Sequence, residues 1–406
     1  MAANFPSTPS IGDTVTIENI KYRWTGTTWI IVPGAVQSGV VQSNNGAIDL
    51  SKGSYHKILI DANNTDVTVS FSNVPSGSSK WSLELNTNVP AVGYDLASAS
   101  YDNVSLSVNA QDAVPRGLTF NSDGTKVYIV GSGSDRIHQY NLSTAYDLST
   151  ASYINSFSVI GQDGTPFGVA FSNSGLKMYM LGFANGSIVY QYSLSTAFDV
   201  STASYDTVSF SVAGQDVQSR GPVFNDNGTK MYTVGTASDS AHQYSLSTAY
   251  DLSTASYDSV SFSVAAQDTV PYGIAFGNNG SSLFISGDTN NTVYKYSLST
   301  PYDLSTASYD NVSFSVGSQV SEPISMAFSG TGLKMYILDF STDSIYQYTT
   351  ASEGATPSLT WPPSIIWTEN TLPVTSSDQN LILDFYTPDG GTTIYGIESI
   401  NKDNTV

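Results

Sequence analysis

Tyr94, Tyr146, Phe198, Tyr250 and Tyr302 stand 52 residues apart, and nearly the same text surrounds each of them. The copy that begins at Tyr250 reads YDLSTASYDSVSFSVAAQDTVPYGIAFGNNGSSLFISGDTNNTVYKYSLST. A period of this length marks a supersecondary unit that cannot bury its apolar side alone and must pack on copies of itself. Each copy contains four strand-like runs. In order they are VSFSV, a short run of small residues such as Gly273-Ile274-Ala275-Phe276, a run such as Lys334-Met335-Tyr336-Ile337, and a run such as Ile345-Tyr346-Gln347-Tyr348. Glycine-bearing turns, NSDGTK at 121–126, NDNGTK at 225–230 and SGTGLK at 329–334, separate the second run from the third.

Four strands per period and five periods predict a five-bladed β-propeller. The KMYI-like run is apolar on both faces, as a strand between neighbouring blades must be. The small-residue run suits the crowded axis, and the alternating VSFSV run suits a half-wet outer strand. The array opens with an outer-strand segment at 100–108 and closes with the other three strands at 323–348. In a ring the first strand would complete the last blade and leave no free edge. The second copy has lost one residue in SYINSFSV and regained one before Ile188, as loops do around a framework that keeps its register.

The flanks read as two halves of one domain. Residues 34–88 hold the strand runs HKILID, DVTVSFSNV and KWSLELN. Residues 355–406 hold SLTWP, IIW, NLILDFYT and TTIYGI, the last two joined by a PDGG turn at 388–391. Neither half is long enough to hold a good core alone. The expectation is therefore an all-β chain in which the propeller, residues 89–354, is inserted into a discontinuous β-sandwich or jelly roll of about seven strands. A small β module at 1–33, carrying Trp24 and Trp29, precedes them.

The pair IDLSKGSYHKILID…VSFSNVPSGSSKWSLELN and LTWPPSIIWTENTLPV…LILDFYTPDGGTTIYGI resembles a β-domain of tail-fibre and other virion proteins of tailed phages, marine phages especially. In those proteins the two halves usually run on continuously, whereas here the whole repeat array intervenes. The N-terminal text PSTPSIGDTVTIENIKYRWTGTTWIIV resembles short modules of phage structural proteins, and the 52-residue repeat resembles propeller repeats of marine phage and bacterial proteins. The resemblance implies a virion location, docking on other virion proteins through the N-terminal module and the sandwich, and a homo-oligomer. It supplies no catalytic residue.

Composition excludes several classes of function. The formal net charge is −20 with only 14 Lys+Arg, so the cationic surface that a phosphate backbone demands is missing and nucleic acid is rejected as the main ligand. Without cysteine there is no disulfide, thiol catalysis or Cys-zinc site. No 18-residue apolar run and no basic-then-apolar leader is visible, so neither membrane insertion nor a signal peptide is expected.

Candidate chemistry is sparse. His138 and His242 stand where other copies have Tyr190, Tyr294 and Tyr346, and are read as blade-packing residues; His56 is the third histidine. A Gln-Asp pair recurs at Asp112, Asp163, Asp216 and Asp268, while the fifth copy has Gln319-Val320. A calcium site on the axis is one reading of these carboxylates. Capping of each turn by its own Asp is the reading adopted, and it extends to Asp95, Asp147, Asp199, Asp251 and Asp303. Glu322 and Asp339 break the repeat without visible partners, and no glycosidase pair emerges. No enzyme, cofactor or metal is therefore expected.

One position varies with evident chemical consequence: Arg116, Phe167, Arg220, Tyr272 and Ile324. It opens the innermost strand and so lies at the channel mouth. The loop after the KMYI-like strand varies on the same face, whereas the LSTAYDLSTAS connection on the other face hardly changes. Arg116, Phe167, Arg220 and Tyr272 are accordingly the candidate ligand-binding residues, set against the plainer reading that they plug a tapered channel. The expected function is a fibre- or spike-like virion protein that presents a propeller to a host-surface glycan or protein. A purely architectural capsid decoration is the alternative, and a polysaccharide depolymerase a more distant one.

Overall fold

The structure, a computed structural model, describes residues 14–17, 20–24, 29–36, 47–52, 55–60, 66–88, 92–351, 358–367 and 378–403. Among them every regular element is a strand or a three-residue 3₁₀ turn. The chain divides into two units, Val92–Ser352 on one hand and Met1–Ala91 with Glu353–Val406 on the other.

The first unit is a five-bladed propeller. Its blades are four-stranded antiparallel meanders, the first built from Pro115–Phe120, Lys126–Gly131, Arg136–Leu142 and Ala151–Ser158. The next three repeat this order from Pro166, Ser219 and Pro271. In the fifth, Pro323–Phe328, Lys334–Asp339 and Ser344–Thr349 take Ser100–Ser107 as the outer strand, with Ser107 opposite Ser344 and Ser100 opposite Thr349. Side chains reinforce this closure. Asp102 of the incoming strand accepts from Lys334 Nζ at 2.6 Å, Gln347 Nε2 at 2.8 Å and Thr349 Oγ1 at 2.7 Å.

Three repeated devices hold the ring. Innermost strands of neighbouring blades touch all the way round the axis, so the residue facing the next backbone must be small. A Cβ added at Gly168 would fall on the carbonyl oxygen of Gly221. Second, buried tyrosines tie each blade to the next: Tyr128 Oη donates to Phe198 O at 2.6 Å, Tyr179 to Tyr250 O, Tyr232 to Tyr302 O and Tyr336 to Tyr146 O, each of these three at 2.5 Å. Blade four has Phe284 there, and Lys295 Nζ reaches Tyr94 O instead. Third, the aromatic that marks the period sits at positive φ, from 58° to 63°, a conformation unusual for a bulky residue. Its ring lies on the turn glycine, as Tyr146 does on Gly124, and its N–H donates to that glycine's carbonyl.

The one-residue deletion in the second copy falls in a bulge. Elsewhere two residues, such as Asp206 and Thr207, are extruded between register pairs; in Ala151–Ser158 only Ile154 is. That deletion removes the partner aspartate, so Lys126 donates to Phe198 O at 3.1 Å, whereas Lys177 pairs with Asp206 at 2.7 Å and Lys230 with Asp258 at 2.8 Å.

In the second unit the two flanks interlock in one sheet. Asp378–Thr387 pairs antiparallel along its whole length with Ser79–Asn88. The sheet order is Ile365–Trp367, Ile394–Asp403, Asp378–Thr387, Ser79–Asn88, Tyr55–Ile60. Two short parallel pairs, Ala47–Asp49 with Ser70–Ser72 and Asp66–Thr68 with Ser358–Thr360, form the second layer of a sandwich. Trp81, Leu83, Leu85, Leu381, Leu383 and Phe385 pack there against Ile48, Leu50 and Val69. Nine strands are described in place of the expected seven, and they are not the antiparallel set of a jelly roll. Tyr55–Ile60 runs parallel to Ser79–Asn88 because the chain between them crosses through the second layer. DVTVSFSNV accordingly forms two strands with different partners. The N-terminal strands Thr14–Ile17, Ile20–Trp24 and Trp29–Val36 form an antiparallel meander with Trp24 opposite Trp29, and it continues past residue 33.

Candidate functional site: the upper mouth of the propeller channel

Each innermost strand runs from an upper face to a lower one. The upper face collects the loops before that strand and those after the second strand. The lower face collects the glycine turns and the LSTAYDLSTAS connections. There Asp95, Asp147, Asp199, Asp251 and Asp303 each cap a 3₁₀ turn, accepting from the backbone N–H two residues on.

At the upper mouth the structure brings all four candidate residues together. The Arg116 guanidinium lies 5.0 Å from the Phe167 ring centre and 4.3 Å from that of Phe340. Arg220 lies 4.1 Å from the same Phe167 ring and 5.0 Å from Tyr272. Phe183 meets Phe167 edge-on at 5.5 Å. The result is a half-buried stack of alternating guanidinium and aromatic groups, favourable because the ring face carries negative potential. Ile324, the fifth member of the set, is buried. Phe183 and Phe340 were not named from sequence. They lie in the varied loops GFANGS and LDFSTD, so the variation was visible but not the direction of the side chains.

The two arginines are poorly neutralised. Among the described residues neither has a carboxylate within 4 Å, whereas Lys177, Lys230 and Lys334 all do. Arg116 Nε has a long contact of 3.4 Å to Ser132 Oγ, and Arg220 Nη1 donates to the carbonyls of Gln218 and Ser219 at 3.2 Å. Burial pulls the Arg220 guanidinium down to about 10; Tyr272 and Asp216 favour its charge and neighbouring Arg116 opposes it. Burial also lowers Arg116, against Tyr272, Asp112 and Glu322. Across the mouth Asp288 occupies the position of Ser132 and Phe183. Its carboxyl is raised by burial and by Glu322, Asp268 and Asp339.

The recurring carboxylates build the rim. Buried Asp112 accepts from Val114 N at 2.8 Å, Gly133 N at 3.1 Å and Ser134 N at 3.0 Å, and so joins two upper loops. Burial pushes this carboxyl up, but His138 beside it at 3.8 Å and hydrogen bonds from Ser134 and the backbone outweigh it and hold it at about 2. Asp163, Asp216 and Asp268 repeat the arrangement. The expectation that Asp339 lacks partners is corrected. Asp339 is buried and accepts from Ser321 N, Glu322 N, Ser341 Oγ and Thr342 Oγ1. It stands where the other copies have Gly131, Gly182, Gly235 and Gly287, and Val320 stands where they have Asp. A Cβ on Gly131 would strike the Asp112 carboxylate. The fifth blade thus supplies the same carboxylate from the opposite strand, and the two arrangements exclude each other.

His138 Nε2 shares a 2.8 Å hydrogen bond with Ser134 Oγ, as His242 does with Ser238 at 3.0 Å. Tyr190, Tyr294 and Tyr346 meet Asn185, Asn290 and Thr342 in the same way. The histidines are therefore rim-tying residues interchangeable with tyrosine. Among the described residues no group of three or more His, Asp or Glu is placed to hold a metal ion. Nor is any helix long and apolar enough to cross a membrane.

Beneath the stack lies an axial cavity of about 260 Å³. Phe167, Arg220 and Tyr272 line its upper end and Asn173, Asp226, Tyr250 and Tyr302 its lower end.

No protein family and no curated protein matches the chain by sequence. Solved structures match at low similarity. A functionally unknown protein of Desulfotomaculum acetoxidans is 11% identical with a TM-score of 0.37; the match covers 55% of this chain and 62% of that one. The Myceliophteria thermophila Cps50 (Swd1) β-propeller domain is 11% identical with a TM-score of 0.35, over 62% of this chain and 99% of that one. The periplasmic gluconolactonase PpgL of Pseudomonas aeruginosa is 11% identical with a TM-score of 0.37, over 71% and 70%. The chain thus spans less than two thirds of the first of these, and no activity, substrate or partner is transferred from any of them.

Proposed function

We propose that the propeller is a non-enzymatic recognition head whose upper mouth binds a surface ligand, and that the chain is a fibre- or spike-like virion component. The observation that carries the recognition reading is the contrast between the two faces. Five nearly identical copies keep the lower connections almost unchanged and diverge where Arg116, Phe167, Arg220 and Tyr272 converge. A ring selected only for stability gains nothing from placing different chemistry at that rim, whereas aromatic and arginine side chains are the usual anchors of recognition surfaces. The virion setting rests on the resemblance of the flanking segments.

The test is binding of the full chain to bacterial envelope preparations and to a glycan array. Saturable binding that falls at least tenfold in a Phe167→Ala, Tyr272→Ala double variant supports the reading. Unchanged binding in that variant, or no saturable binding at all, overturns it and favours an architectural decoration. Release of reducing ends from a bound polysaccharide would favour the depolymerase alternative.

A further inference from the structure

We infer that the ligand of this mouth is the carboxylate-bearing end of an acidic saccharide, with Arg116 and Arg220 as its counter-charges. The inference rests on the recognition reading above and specifies its chemistry. Two guanidiniums lie against one ring, Phe167, at 5.0 and 4.1 Å. Two like charges at one half-buried site oppose one another, and burial removes part of the water that would otherwise screen them. In the propeller framework Lys177, Lys230 and Lys334 have aspartate partners, and Lys126 and Lys295 donate to backbone carbonyls at 3.1 and 3.2 Å. At the mouth, among the described residues, the two guanidinium charges have no carboxylate within 4 Å, although the chain holds 34 Asp+Glu. Asp112, Asp216 and Glu322 are near enough to favour the arginine charges, but Asp112 and Asp216 accept from the backbone of their own loops. An incoming carboxylate would complete the pairing, and guanidinium edges match its planar, two-oxygen geometry.

The surrounding shape narrows the ligand further. Aromatic side chains, Phe167, Tyr272, Phe183 and Phe340, surround the two guanidiniums and suit apolar contact with the C–H groups of a sugar ring. The axial cavity, lined at its upper end by Phe167, Arg220 and Tyr272, is about 260 Å³, below the range of about 300–1,000 Å³ of sites that enclose drug-sized ligands. It accommodates one terminal unit. A peptide strand would require an open sheet edge or a long groove, and the mouth is an axial pit. The net charge of −20 repels an acidic polymer at long range. Binding is therefore expected where ionic strength shortens that repulsion to roughly 8 Å, near 0.15 M salt.

The experiment is calorimetric titration of the full chain near that ionic strength with oligogalacturonate and with its fully methyl-esterified, uncharged form. The expected result is binding of the acid at least tenfold tighter than the ester. Loss of that preference is expected in the double variant Arg116→Gln, Arg220→Gln, and partial retention in Arg116→Lys, Arg220→Lys, which keeps the charge. Thermal unfolding of each variant is recorded; should the glutamine variant fail to fold, the acid-to-ester ratio and the lysine variant still decide. Equal binding of acid and ester, or full acid binding by the glutamine variant, overturns the anionic assignment and leaves the recognition head standing. Binding of neither oligosaccharide while envelope binding persists overturns the assignment alone, and absence of both overturns the two readings together.

Discussion

The lower and upper faces of the propeller are built from the same five copies and solve opposite problems. On the lower face the repeat fixes the polar partners: an aspartate caps each 3₁₀ turn, a glutamine side chain such as Gln139 accepts from Val200 N at 3.1 Å, and tyrosine hydroxyls reach the neighbouring blade. On the upper face repeated backbone hydrogen bonds hold the rim carboxylates, but the ring of side chains just inside it is not repeated. Regularity on one face holds the ring closed, which leaves the other free to carry two stacked arginines of weak pairing without loss of the fold. Strain and unmet charge are tolerated where the surroundings over-determine the backbone.

This contrast can be tested from its strongest point downward. Gly168→Val would place a side chain on the Gly221 carbonyl at the axis. The expected outcome is a loss of more than about 4 kcal/mol or failure to fold, read by denaturant unfolding, because neither backbone can yield without opening the ring. Asp112→Val leaves the part-buried N–H groups of Val114, Gly133 and Ser134 without an acceptor and should cost about 2 kcal/mol. Adding Gly131→Asp copies the arrangement of Val320 and Asp339 in the fifth blade and should restore most of that stability; if the double variant is no better than the single, the equivalence of the two arrangements is wrong.

Asp112 is held at about 2 when folded, below the ordinary aspartate value of about 3.9. Its contribution is therefore fully present above that ordinary value and is lost as pH falls through the folded one. Asp102, Asp206 and Asp258 are also lowered: burial alone would raise them, but hydrogen bonds and the charges of Lys334, Lys177 and Lys230 outweigh it. Unfolding midpoints should fall steadily from about pH 4 toward pH 2, with a shallower fall in Asp112→Asn. The smallest effect is expected for Tyr179→Phe, which removes one inter-blade hydrogen bond worth about 1 kcal/mol. Blade four already carries Phe284 at that position, so a much larger loss would mean that the blades are not energetically equivalent.

Much of the fold was legible because the information is periodic. The spacing of Tyr94, Tyr146, Phe198, Tyr250 and Tyr302 gave the blade, and the phase of the array gave the closure by Ser100–Ser107. The caps followed from the local habit of aspartate to bond nearby N–H groups. What stayed hidden depends on contacts between distant copies. Asp339 looked solitary because its relation to Val320 exists only where two strands meet. Phe183 and Phe340 looked like ordinary loop residues until the stack with Phe167 and Arg116 gave them a direction.

From the chain alone come the repeat, its strand content, the split support and the one inward position at which the copies differ, since short-range patterning and steric limits are written in consecutive residues. Only the tertiary structure decided that Arg116 and Arg220 stack on the same aromatic ring, that the sandwich crosses through its second layer, and that a carboxylate can enter the rim from either strand. Those facts depend on which side chains are brought within a few ångströms of one another, and that proximity is a property of the closed ring and the packed layers, not of any stretch of sequence.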